Sequence, residues 1–229
     1  MKFNILLFTV LFSAIACAQS FTGSFDLITA QINSNGNVRS DTISYFFTED
    51  KTAIIMHAGG NQPDMRLVFT PADSTIVGLF EMKGKKSGYI LNMNDKQWPG
   101  MHYALQEYGT GPRIQLNYTG NKKEINGYSC VETTCENEKF DISFWFAENI
   151  EISLTQAFAY QTVGSGGEME PIEMLSKCGV QALSLETLLK GKEGNPTINI
   201  TVENFSEEII DTAVFSSKGH KVTDMRKVQ

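Results

Sequence analysis

The octapeptide TIVGLFEM, Thr75–Met82, is apolar on both of its parities, with Ile76 and Phe80 on one side of an extended chain and Val77 and Leu79 on the other. Successive side chains of a strand point to opposite faces, so a strand of this kind must be covered on both. Turn residues bound it, Pro71 to Ser74 before and Gly84 to Ser87 after. A short doubly apolar run between such boundaries reads as a strand inside a sheet that carries material on each side.

Working outward, similar runs recur at turn-limited spacing. Upstream lie Phe21 to Ile32, with Phe25, Leu27 and Thr29 on one side, then a run bearing Ile43, Tyr45 and Phe47, then Ala53 to His57, then Met65, Leu67 and Phe69. Downstream, Tyr89, Leu91 and Met93 alternate, as do Ile114, Leu116 and Tyr118, which the polar residues Thr119 to Lys123 follow as a turn. Tyr128 to Thr134 and Phe140 to Phe146 read as a hairpin around Glu136 to Glu138. Val180 to Leu188, Thr197 to Glu203 and Ile209 to Phe215 complete the strand pattern.

Helical spacing is scarce. Trp98, Met101, Leu105 and Tyr108 recur at three and four residues, although Pro99 and Gly100 keep that segment short. Further short helices are expected within Ile150 to Gln161 and Pro171 to Lys177. The fold class expected is therefore mainly β: a single curved antiparallel sheet or incomplete barrel of about ten or eleven strands, with a few short helices on its concave side.

The amino terminus carries Lys2, an apolar run from Ile5 to Ile15 broken by Thr9 and Ser13, and small residues through Ala18. This is the pattern of a secretory signal peptide, and the run is too short for an ordinary transmembrane helix. Two cleavage readings stand. Ala16, Cys17 and Ala18 suit a signal peptidase that leaves Gln19 first, whereas Ala14 to Cys17 form a lipobox that would make Cys17 a lipidated amino terminus. Residues 1–18 are read as the signal and 19–229 as one domain, because all-β architectures reach this size around a single core. The expected location is the periplasm or the exterior, with membrane contact only through a lipidated Cys17.

Without Lys2 the mature chain holds 18 basic and 26 acidic residues, a net charge of −8. That balance argues against nucleic acid and against electrostatic docking on anionic lipid. Cys130, Cys135 and Cys178 remain in an oxidising compartment. On one extended strand Cys130 and Cys135 would stand about 16 Å apart at ~3.3 Å per residue, too far for a bridge. The expectation is Cys130 or Cys135 joined to Cys178, with Cys130 to Cys178 as the candidate pair, against a reading in which all three are small buried thiols.

No sequence pattern supplies catalysis. His57, His102 and His220 fall in separate regions with no adjacent nucleophile, and no zinc spacing occurs, so no catalytic residue, metal ligand or cofactor is expected. Glu168, Glu170 and Glu173 match no calcium loop. Lys83, Lys85 and Lys86, like Lys122 and Lys123, are assigned to hairpin turns, where they serve solubility. Methionine is more telling. Met56, Met65, Met82 and Met93 occur on four expected strands, with Met101 in the short helix; they read either as ordinary core filling or as an apolar surface that adapts to varied partners, which thioether side chains suit.

Ile125, Gly127, Tyr128 and Cys130, followed by Trp145 and Ile150, resemble the signature of an uncharacterised family of exported bacterial proteins, in which an I-x-G-Y-x-C strand pairs with one ending in W-x-x-x-x-I/L. The stretch Cys178 to Thr187 is similar to the family's G-x-P-L strand, with Gln181 in place of Pro. That family is grouped with the lipoprotein-localisation carriers of the LolA and LolB kind. The resemblance implies an incomplete, strongly curved barrel whose concave side holds helices and a hydrophobic site. The expected function is then non-enzymatic binding or carrying of an acyl chain, lipoprotein anchor or other hydrophobic small molecule. Met56, Met65, Phe69, Phe80, Met82 and Tyr89 are the candidate pocket, and Trp98, Met101, Leu105 and Tyr108 the candidate lid. The alternative is a secreted structural or protein-interaction module with a filled core and no ligand.

Overall fold

In the computed structural model the described residues are 21–33, 35–57, 63–94, 96, 97, 117–147, 150, 152, 178 and 183–227. They build twelve strands in one open, curved sheet. In chain order these are β1 (Gly23–Ile32), β2 (Val38–Phe47), β3 (Thr52–Met56), β4 (Met65–Thr70), β5 (Thr75–Met82), β6 (Lys85–Asn92), β7 (Asn117–Ile125), β8 (Tyr128–Glu136), β9 (Phe140–Phe146), β10 (Ser184–Gly191), β11 (Thr197–Ser206) and β12 (Lys221–Asp224). The spatial order is β12-β6-β5-β4-β3-β2-β1-β11-β10-β9-β8-β7. The mainly β class holds, and β5 and β9 have the bounds expected of them.

The doubly apolar β5 is covered as its pattern requires. Ile76 (0% exposed) faces the main core, while Leu79 (1%) is buried on the other face with Ala53 and Val68. Main-core residues cross the strands in register: Phe25 opposite Tyr45, Tyr45 opposite Ile54, Ile54 opposite Leu67, and Leu67 opposite Gly78. The rings of Phe25 and Tyr45 stack at 5.0 Å. Burying such side chains is worth about 1.5–3 kcal/mol each, so this continuous row outweighs any single polar contact in the sheet.

Four local expectations are corrected. Ile209 to Phe215 is not a strand: Ile209 is 96% exposed, and Thr212–Phe215 is a 3₁₀ turn whose cap, Asp211, accepts from the Ala213 amide at 2.9 Å. That turn packs on β3, and Arg66 Nη2 donates to the Ser216 carbonyl at 2.9 Å. The following β12, absent from the sequence reading, pairs parallel with β6, so the sheet is mixed rather than wholly antiparallel and has twelve strands rather than ten or eleven. Thr119 to Lys123 is strand rather than turn, lying within β7. The reversal falls instead at Asn126 and Gly127, whose φ values of 53° and 80° suit a tight hairpin turn. An edge strand that is polar on both faces looks like a turn in composition, because it has little to bury.

The fourth correction concerns sulfur. Cys135, not Cys130, is bonded to Cys178, and Cys130 is a buried free thiol. Cys135 is opposite Ile142 and reaches Cys178, whereas Cys130, five positions earlier and so of the other parity, is opposite Lys123 and is fully buried in the core cluster. Cys178 is itself packed in the core cluster. Burial pushes the Cys130 thiol up, against the pull of the Lys123 charge.

Candidate functional site

The register of β3 to β6 decides where the six candidate pocket residues fall. Met56 is opposite Met65, Met65 is opposite Phe80, and Tyr89 is opposite Gly78, one step along from Phe80. Phe69 and Met82 share their parity, so all six project from the face that carries the main core. Met56, Met65, Phe80 and Tyr89 are half-buried. Phe69 is 0% exposed and belongs to the core cluster, whereas Met82, beside the Lys83–Gly84 turn, is 52% exposed.

Within this tract the groups touch. Tyr89 Oη lies 3.7 Å from Met65 Sδ, and the Phe80 and Tyr89 ring centroids are 6.5 Å apart. The Tyr89 ring lies across Gly78, where an added Cβ would fall 2.5 Å from its Cε2 and Cζ. Gly78 therefore lets an aromatic side chain lie flat on the sheet instead of standing away from it. Burial pushes the Tyr89 phenol up. The arrangement offers two thioethers and two rings with one hydroxyl, a surface suited to dispersion contact with an apolar molecule and not to bond-making. Trp98, Met101, Leu105 and Tyr108 of the candidate lid lie outside the described residues, as do His102, the Glu168 to Glu173 cluster, the signal segment and most of the expected helices.

An open groove of about 390 Å³ lies at the far end of the sheet on β7 to β10. It is lined by Asn117, Glu136, Asp141, Leu188 and Lys190 among others, and the charges of Glu136 and Asp141 are taken up by Lys192 at 3.2 and 2.8 Å. Lys123 is not a turn residue there: its ammonium pairs with Glu186 at 2.7 Å and sits 4.3 Å from the Trp145 ring. These groups satisfy one another and staple the edge.

The opposite face of β1 to β4 holds an array that the sequence reading missed. His57 has partners after all: its Nε2 is 2.9 Å from Ser44 Oγ and its Nδ1 is 3.1 Å from Asp64 Oδ2. Ser44 Oγ also donates to Asp26 Oδ1 at 2.5 Å, and Asp26 Oδ2 accepts from Asn204 Nδ2 at 2.7 Å. Asp26 and Ser44 are direct cross-strand partners on β1 and β2. Alternation places Ser44 opposite in sense to Tyr45, but only the pairing of β1, β2 and β3 brings residues 26, 44 and 57 together. No metal-holding group of acidic, histidine or cysteine side chains occurs among the described residues.

No protein-family model and no curated protein matches this chain. Among solved structures it is similar to PNGF-II, at 12% identity and a TM-score of 0.41, covering 90% of this chain and 32% of that one. It is also similar to a chain of the Pseudomonas aeruginosa MucA/MucB complex (10% identity, TM-score 0.43, 85% of this chain and 55% of that one). A LolA superfamily protein from Nitrosomonas europaea is similar at 5% identity and TM-score 0.36, over 87% of this chain and 91% of that one. The chain thus spans about a third of PNGF-II and about half of the MucA/MucB chain.

Proposed function

We propose that this is an exported envelope protein that binds an apolar ligand, an acyl chain or lipoprotein anchor, against the core face of β3 to β6. The observation that carries the reading is the half-buried Met56, Met65, Phe80 and Tyr89 tract, in register across β3 to β5 and joined on β6 by Tyr89, which lies diagonally to Phe80. Its chemistry fits the site. Each ligand methylene withdrawn from water contributes ~0.8 kcal/mol, so an acyl chain needs no charged contact to bind. Phe69 belongs to the floor and not the contact surface, because it is already fully buried.

The test is titration of the mature protein with a dansyl-labelled long-chain fatty acid, beside mass spectrometry of an organic extract of the purified protein. Saturable fluorescence enhancement is expected, weakened about tenfold or more by Met65→Ala with Phe80→Ala, which corresponds to a loss of about 1.4 kcal/mol or more. Unchanged affinity in that variant would remove the tract from the site. Absence of both a bound probe and a co-purified lipid would favour the filled-core interaction module. The intact-protein mass distinguishes a mature chain beginning at Gln19 from one lipidated at Cys17.

A further inference from the structure

We propose that Ser44 is a nucleophile, with His57 as its general base and Asp64 orienting the imidazole, in a site for activated carboxylic esters on the face opposite the apolar tract. The array has the connectivity that such chemistry needs: hydroxyl to Nε2 at 2.9 Å, and the second ring nitrogen to a carboxylate at 3.1 Å. These residues arrive from β2, from the end of β3 and from just before β4, so the constellation is assembled by strand pairing and leaves no contiguous motif.

Exposure is graded in the useful sense. Ser44 sits at the floor at 9% exposed, while the side chains of His57 and Asp64 are 42% and 55% exposed, so the base and its orienting carboxylate stand at the rim. Asp26 gives the Ser44 proton a second acceptor at 2.5 Å and fixes the hydroxyl between two basic groups. Asn204 in turn holds Asp26. Asp26 is thus a positioning residue, and rotation of the Ser44 proton from Asp26 to His57 Nε2 prepares the nucleophile.

The reaction balances without any absent co-reactant. Ser44 Oγ forms a bond to the carbonyl carbon, its proton moves to His57 Nε2, and that proton is returned to the alkoxide leaving group as the ester C–O bond breaks. Water then attacks the acyl-Ser44 carbonyl, giving a proton to His57, and the Ser44 oxygen leaves and recovers that proton. An organic fluorophosphonate tests the first half: Oγ bonds to phosphorus, fluoride departs, and the serine proton is taken up through His57.

The experiment treats the mature protein with a fluorophosphonate and maps adducts by peptide mass spectrometry. One adduct on Ser44 is expected, abolished by Ser44→Ala. In His57→Ala labelling should slow at least tenfold and recover with added imidazole, a rescue that a merely structural histidine would not permit. Should Ser44→Ala fold poorly, the wild-type adduct map still decides. A folded wild-type protein without label on Ser44, or labelling indifferent to removal of His57, overturns the assignment. Neither result bears on the apolar tract, which lies on the other face.

Discussion

At the scale of single residues, the side chains whose surroundings matter most are polar groups set against the sheet. Tyr128 Oη donates to Glu207 Oε1 at 2.7 Å, and burial, reinforced by the hydrogen bond and charge of Glu207, pushes its phenol up from 10.0 to about 12. A folded-state pKa above the unfolded one means that the neutral phenol stabilises the fold fully below pH 10, and that this contribution is lost as pH rises through about 12. Alkaline titration followed by phenolate absorbance should show a last tyrosine step near 12 that Tyr128→Phe lacks. Between those two pH values the wild type should lose stability more steeply than the variant. Titration of Tyr128 near 10 would mean that neither its burial nor the Glu207 contact holds in solution. Residue identities alone show little of this. Glu207 follows Tyr128 by 79 positions, and nothing local to either names the other. His57 is the sharper case: its partners on β2 and before β4 become neighbours only through strand pairing.

At the scale of elements, the β5–β6 hairpin joins the core to the candidate site through one close approach, the Tyr89 ring over Gly78. Gly78→Ala should cost about 1–3 kcal/mol, because the ring must move to admit a methyl group. The same substitution in a Tyr89→Ala background should cost less than half as much, as thermal or denaturant unfolding of the four proteins would measure. Equal costs in both backgrounds would place the ring elsewhere. Elements were legible where alternation was strong. β9 follows from apolar alternation, β5 from a doubly apolar run bounded by turn residues, and the hairpin near Glu136 from its turn residues. Alternation failed on β7, an edge strand with little to bury, and on β12, four residues long and held by its parallel pairing to β6. It also mistook Ile209 to Phe215 for a strand, where the Asp211 cap and the Arg66 contact hold a 3₁₀ turn instead.

At the scale of the whole molecule, the pairing of β1 with β11 makes one sheet of β1 to β6 and β7 to β11. We expect the two parts to unfold together, in a single calorimetric transition, as one domain spanning 19–229 would. The Cys135–Cys178 bond closes a separation of 43 residues on one of those parts. Constraining the unfolded chain over such a loop is worth about 2–4 kcal/mol, so Cys178→Ser, or reduction of the wild type, should lower stability by that amount under otherwise identical conditions. A loss well below that range would mean that the bridge is not closed in the protein in solution.

The sequence by itself determined the strand character of most of the described chain and the need to cover β5 on both sides. Each of these follows from period-two alternation, which is local. Tertiary structure decided the disulfide partner, the parallel twelfth strand and the Asp26, Ser44, His57 and Asp64 array. These depend on which strands lie side by side and in what register, and burial over the whole sheet selects that pairing, not any one segment.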